Sequence, residues 1–411
     1  MVSVAEFGAI GDGSDETAKI QAAIDAADAQ GGGIVFFPPG TYTIANSLTL
    51  AHGIWLIGAS RENCKLRASS AILMIDGRFA SAREYNAGMA HLTVDGNGVA
   101  TGCLELDLTS GLYFLDCVFT SAVGATAGRA VKLNTAVFTV WENCKFNSSR
   151  VGFDLNQSGT GAPNMSAFRD CRFESNSEVG LKIEGTTGTG ILGVDVDGCT
   201  FYNNGTSGNN AAGGIWADVV RSLSVTHSYF ESNKGGASIH LIIAVLPRIT
   251  KNYFTEAGPL ANGAVWAETV AGSGAQIPII TDNNFDGSLA TNVTISSGAV
   301  NAYIARNFVA SGGALTDLGS HKALDNDATP QVRGSNYLTV KNTLLTTITN
   351  LDEGAPGQRV TLIFDTAPNA TVATGGSFRL AGGVNFTATA NDTLTVILHS
   401  GVWYEVSRSV N

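Results

Sequence analysis

One short phrase returns at nearly constant spacing through the middle of the chain, and few folds can accommodate it. It reads Asp116-Cys117-Val118-Phe119, Asn143-Cys144-Lys145-Phe146, Asp170-Cys171-Arg172-Phe173 and Gly198-Cys199-Thr200-Phe201, with the cysteines 27, 27 and 28 residues apart. Cysteine and phenylalanine alternate with a polar residue, so both point to one side of a strand. A strand phrase recurring at roughly 20 to 50 residues marks stacked units, each too thin to bury its apolar face alone. With identity relaxed, the bulky inward position continues from Leu66 and Val94 through Phe230, Phe254 and Phe285 to Phe308. The expectation is an all-β chain, a right-handed parallel β-helix of about ten coils.

Composition supports a long narrow core. The 49 glycines fit a fold rich in tight turns, and 14% charged residues is too few for a disordered chain. No apolar run reaches the ~18 residues of a membrane span, and no basic start with a hydrophobic core follows Met1. The chain therefore reads as soluble, with no membrane partner and no signal peptide. A net charge of -11 disfavours nucleic acid as a partner. The six cysteines fall mostly on the inward ladder and read as small core hydrophobes. No CxxC pair or histidine cluster suggests zinc, and no metal or cofactor is expected.

Near the N-terminus, Val4-Ala5-Glu6-Phe7-Gly8-Ala9-Ile10-Gly11-Asp12-Gly13 precedes a helical run with apolar Ile20, Ala23, Ile24 and Ala27. Ser14 or Asp15 is suited to cap that helix, and Gly31 to Gly33 to end it. Ile34-Val35-Phe36-Phe37-Pro38-Pro39-Gly40-Thr41-Tyr42 then reads as a strand broken by a proline turn. Residues 4 to 43 closely resemble the N-terminal motif of the pectate-lyase-3 superfamily, shared by bacterial β-helix enzymes and phage tailspikes. The resemblance implies that the helix covers the open first coil, but the motif carries no catalytic residue. The segments implied are a cap at 1–48, the β-helix at 49–324, a linker at 325–336 and a C-terminal β-sandwich-like domain at 337–411. Within the last, Ala381 to Phe386 and Trp403 to Val406 are similar to C-terminal modules of phage tailspikes and related depolymerases, which support trimer assembly. A homotrimer, extracellular or carried on a phage tail, is implied.

Each coil from about residue 100 also holds a second strand phrase. Aligned on inward residues, these phrases give one outward row of Glu105, Lys132, Asp154, Lys182, Trp216, His240, Trp266 and Thr294. A second row contains Asp107, Asn134, Asn156, Glu184, Asp218, Ile242, Glu268 and Ser296. Trp216 and Trp266 lie two coils apart, about 10 Å at the usual rung spacing, which suits stacking on sugar rings. The plainer alternative is burial under a long turn or a subunit contact.

Glycoside hydrolysis needs two carboxyl groups flanking the scissile bond, ~5–5.5 Å apart for retention and ~6.5–9.5 Å for inversion. Asp218 with Glu184 fits the first by rung spacing, and Asp218 with Glu268 the second. These three are the candidate catalytic residues, with Trp216, Trp266, His240, Lys182 and Asp154 as candidate substrate contacts. Lys182 and His240 would serve a lyase instead, as cation and base beside a uronate. A further row contains Glu174, Tyr202 and Glu231, and is the alternative catalytic row. The Asn-Thr-Asp, Asp-Asp and Gly-His-Gly motifs of β-helix polygalacturonases are missing, as is the tryptophan, aspartate and histidine cluster of classical pectate lyases. Pectin is therefore not favoured. The expected function is cleavage of a bacterial capsular or exopolysaccharide by hydrolysis; a polysaccharide lyase and a non-catalytic glycan-binding or adhesion protein are the alternatives.

Overall fold

The structure is a computed structural model. It describes residues 1–50, 53–78, 84–123, 128–157, 163–188, 190–205, 213–256, 260–268, 278–286, 292–295, 303–305, 307–309, 326–330, 332, 337–352, 354, 356–365 and 368–411, with 84, 85, 303, 305 and 309 as backbone only. Half of the expected linker at 325–336 lies outside these residues.

One coil illustrates how the sequence builds the rest. Gly102–Asp107 forms a strand of sheet I, Thr109–Leu115 a strand of sheet II, and Val118–Thr120 a strand of sheet III. The chain bends between them at single residues with positive φ: Leu108 at 51°, Asp116 at 52° and, after the third strand, Ser121 at 59°. Left-handed backbone is tolerated best by Gly, Asn and Asp. This accounts for the first residue of the repeated phrase, since Asp116, Asn143, Asp170 and Gly198 all occupy the same left-handed corner.

Every successive coil pairs in parallel with the one before, giving sheets of 10, 14 and 12 strands for I, II and III. The chain is thus a parallel β-solenoid, with twelve rungs on sheet III rather than ten. The two extra rungs are Asp12–Asp15 and Gly40–Ile44, which pair in parallel ahead of Cys64–Ala68. They lack the cysteine phrase, so the repeat did not reveal them. Helix α1, Thr17–Asp28, buries Ile20, Ala23, Ile24 and Ala27 against the first coils. At its first turn Asp15, one of the two expected caps, accepts the backbone N–H and the hydroxyl of Thr17 at 3.1 and 2.6 Å. Glu16 holds the N-cap position without a side-chain cap bond; its fully buried carboxylate accepts the backbone N–H groups of Ile10 and Gly11.

The inward phenylalanines form a continuous stack from Phe119 to Phe285, with centroid spacings of 4.6 to 5.7 Å. All six cysteines are buried and free, as expected of core residues. Burial pushes the Cys103 thiol up to about 12, so it stays protonated and inert.

The C-terminal residues have their own core, centred on Val360, Leu362, Phe364, Val396 and Trp403. Arg359–Phe364, Thr393–His399 and Val402–Ser409 pair antiparallel, whereas Tyr337–Val340 and Phe378–Arg379 add in parallel at the edges. A second small sheet joins Thr346–Ile348, Ala370–Val372 and Phe386–Thr387.

Candidate active site

Sheet I brings the expected residues into register. Asp154 pairs with Lys182, Lys182 with Trp216, Trp216 with His240, and His240 with Trp266, one rung apart each. The parallel row pairs Asn156 with Glu184 and Glu184 with Asp218. This follows from the inward Leu181, Ile183, Ile215, Ala217, Ile239 and Leu241, all fully buried, which force the alternate positions outward.

The two central carboxyl groups have unlike surroundings. Lys182 Nζ donates to Glu184 Oε2 at 2.6 Å, and Asn156 Nδ2 donates to the same oxygen at 3.2 Å. Asp218 has a buried Oδ1 with no hydrogen-bond partner among the described residues. Burial pushes its carboxyl above the ordinary carboxylate range. The Glu184 charge on the adjacent rung adds to this, while the backbone N–H of Val219 and the Lys182 ammonium oppose it.

The tryptophans are each engaged by a neighbour. Lys182 Nζ sits over the Trp216 ring, 5.2 Å from its centroid. His240 stacks on Trp266, with centroids 3.8 Å apart and planes 8° from parallel. The imidazole therefore lies between the two indoles rather than leaving a gap there. His240 is 4% exposed, and its Nε2 meets Glu268 Oε2 at 2.9 Å while its Nδ1 is buried without a partner among the described residues. Burial holds it below the ordinary imidazole pKa, against the opposing pull of Glu268, so the ring is neutral at pH 7.

Asp154 is fully buried, its Oδ2 accepting from Arg129 Nε and its Oδ1 without a partner among the described residues. It adjoins a groove lined by Leu73, Thr101, Gly102, Leu104, Glu105, Arg129 and Lys132. Lys132 Nζ bonds Glu105 Oε1 there at 2.8 Å. The sequence reading did not single out this groove, although Glu105 and Lys132 stand in the same outward row as the tryptophans. Its position, about four rungs before Asp218 on sheet I, extends the polar face toward the N-terminal end.

The alternative row on sheet III is also in register, with Glu174 beside Tyr202 and Tyr202 beside Glu231. Its carboxylates are occupied locally: Glu174 Oε2 lies 2.5 Å from Lys145 Nζ, and Glu231 Oε2 accepts the Tyr229 hydroxyl at 3.0 Å. Among the described residues no group of His, Cys, Asp and Glu is arranged to hold a metal ion.

Residues 1–214 match the family described as rhamnogalacturonase A/epimerase, pectate lyase-like, which is just over half of the 411 residues. The chain belongs to that family. Among curated relatives, the mannuronan C5-epimerase AlgE3 of Azotobacter vinelandii is 41% identical over 113 residues. That alignment covers 23% of this chain and 6% of the relative, so the chain spans only a small part of its length. Two solved structures share the fold. The surface adhesin PfbA of Streptococcus pneumoniae superposes with a TM-score of 0.63 at 13% identity, over 100% of this chain and 99% of that one. The tailspike of an Acinetobacter phage gives a TM-score of 0.54 at 14% identity, over 100% and 79%. The family and these neighbours agree with the coil geometry and with the N-terminal motif.

Proposed function

We propose that this chain is a polysaccharide depolymerase that hydrolyses a bacterial capsular or exopolysaccharide lying along sheet I. Asp218 is the observation that carries the reading: a half-buried carboxyl with an unpartnered oxygen and a raised pKa, one rung from a carboxylate of a different environment. Two carboxyl groups held apart in this way divide the roles of glycoside cleavage. Asp218 is the general acid that protonates the leaving oxygen. Glu184, oriented by Lys182 and Asn156, is the nucleophile. The ~4.8 Å rung spacing matches the ~5–5.5 Å of a retaining pair. Trp216 and the Trp266–His240 stack supply apolar surface on the C-terminal side, and the groove at Arg129 and Lys132 supplies polar contacts on the other. Glu268, bonded to His240, positions that imidazole.

A second reading has one observation in its favour. His240 is neutral, buried and carries an unpartnered Nδ1, the state required of a base that removes a proton beside a uronate carboxylate. The Azotobacter relative is named a mannuronan C5-epimerase, an activity at C5 of a uronate polymer. On that reading Lys182 neutralises the enolate and the chain is a lyase.

Incubation with capsule and exopolysaccharide preparations tests both. Hydrolysis predicts shortened chains with no rise in absorbance at about 232 nm, whereas a lyase produces unsaturated ends that absorb there. Asp218→Asn is expected to lower turnover by at least about a hundredfold and preserve binding; unchanged activity would remove Asp218 from the mechanism. The tailspike and adhesin folds support an extracellular or virion-borne setting and a homotrimer.

A further inference from the structure

Sheet III carries an aromatic strip that cleavage on sheet I does not use. Tyr229 and Tyr253 are paired on adjacent rungs, with nearly parallel rings 5.8 Å between centroids and 9° apart. That separation exceeds the ~4.8 Å rung spacing, so the rings are slid past one another and part of each face stays open. Both hydroxyls are pinned. Tyr229 Oη donates to Glu231 and accepts from Thr255, each at 3.0 Å, and Tyr253 Oη donates to Asp286 at 2.7 Å.

Two exposed rings extend the strip. Tyr202, 41% exposed, stands one rung earlier in the Glu231 row, diagonal to Tyr229. Phe308, expected on the inward ladder, instead aligns with Asn284 rather than with Phe285; it is 62% exposed and stands two rungs beyond Tyr253. Between Tyr253 and Phe308 lies Asn284, whose Oδ1 is buried with no partner among the described residues. From Tyr202 to Phe308 the strip spans four rung steps, roughly 19 Å, which accommodates several sugar rings.

We propose that this strip is a second, non-catalytic site that holds an uncharged stretch of polysaccharide. Aromatic faces run beside the hydrogen-bond acceptors Glu231 and Asp286, which matches a ligand presenting both C–H faces and hydroxyl groups. Rings fixed by their own hydroxyls lose little freedom when such a ligand arrives. The Glu231 and Asp286 carboxylates on the rim accept from sugar hydroxyls and repel an anionic polymer. This assigns Tyr202 and Glu231 to binding, and it goes beyond the cleavage site because retention on sheet III does not require turnover on sheet I.

The test uses the full chain carrying Asp218→Asn, run in native gels cast with dextran, mannan, galactan or mixed-linkage glucan, and with alginate as the anionic control. Retardation by at least one neutral polymer and none by alginate is expected. Adding Tyr229→Ala and Tyr253→Ala is expected to weaken it at least tenfold. Tyr202→Ala removes an exposed ring that the core does not need, and is expected to weaken it severalfold with the melting temperature unchanged. No retardation by any neutral polymer, or retardation unaffected by the tyrosine changes, would overturn the site. Loss of oligomer in light scattering with retardation intact would assign the strip to a contact between copies and overturn it as well. Failure of the cleavage reading is seen separately, as persisting turnover in Asp218→Asn.

Discussion

Asp218 and Glu184 are the same kind of group one rung apart, and their neighbours make them different. Asp218→Asn is expected to lower turnover by about 10²- to 10⁴-fold, the usual span for a general acid. The pH dependence follows from the direction of its shift. A raised pKa keeps the acid protonated to higher pH, so activity falls on the alkaline side, with a midpoint above the ordinary carboxylate range. Lys182 opposes that shift. Lys182→Met therefore moves the alkaline limb to higher pH, readable in the pH profile of kcat/KM even though turnover also drops. A limb that stays in place would separate Lys182 from Asp218.

The rows that contain these residues were legible because inward Leu, Ile and Phe fix the register at every rung. Their partners were not. A period of two says that His240 and Trp266 face outward, but not that the imidazole lies flat on the indole, nor that Asp154 is wholly enclosed with Arg129 across its oxygen. Rotamers along a column depend on what the neighbouring rung leaves open.

At the level of the strand and its corners, the coil is held by more than the phenylalanine stack. Asn176, Asn204 and Asn233, all fully buried, each donate from Nδ2 to the next ladder member and to a backbone carbonyl of an earlier coil. The ladder ends on Glu256, which accepts the Asn233 backbone N–H and side-chain amide together with the Ser238 hydroxyl. Asn204→Ala leaves buried donors and acceptors unpaired and is expected to cost about 1–3 kcal/mol, measured as a loss of unfolding temperature.

Glu256 adds a pH dependence. Burial raises its folded-state pKa above the ordinary value of 4.5. Its contribution to stability is therefore full below the unfolded value and is lost as pH rises through the folded one. Glu256→Gln is expected to flatten the decline in melting temperature above pH 4.5; an unchanged slope would assign that decline elsewhere.

A left-handed bend within a strand gives a second expectation. Phe138 has φ at 53° and is 54% exposed, in a column where Gly111 and Gly193 adopt the same bend without strain. Phe138→Gly is expected to raise stability by about 1 kcal/mol although it removes a large side chain. These features were only partly readable. The Asp, Asn and Gly that open the repeated phrase mark the corners, but Phe138 bends inside the strand Val137–Glu142, where the pattern predicts extended backbone, and the asparagine ladder lacks the fixed phrase that exposed the cysteines. The first two rungs escaped for the same reason, because Gly40–Ile44 stacks on Cys64–Ala68 without a cysteine of its own.

Across the whole molecule, the polar face of sheet I runs from the groove at Arg129 and Lys132 to the Trp266–His240 stack, and the aromatic strip occupies a different sheet of the same solenoid. A chain of sugars lying along the helix axis would cross several rungs, which favours internal cleavage and products of several sugars. The C-terminal sheets present Tyr404 and Val406 outward on the last strand, at 41% and 44% exposure. A homotrimer assembled through such surfaces predicts a mass of three chains in light scattering; a monomer at micromolar concentration would contradict it.

The most direct test of the central claim is product analysis of one cleaved polysaccharide with the native chain and Asp218→Asn side by side, following chain length and absorbance at about 232 nm together. The account predicts shortened chains without an absorbance rise for the native protein and intact chains for the variant. Shortened chains with rising absorbance, or equal cleavage by the variant, would contradict hydrolysis by the Asp218–Glu184 pair.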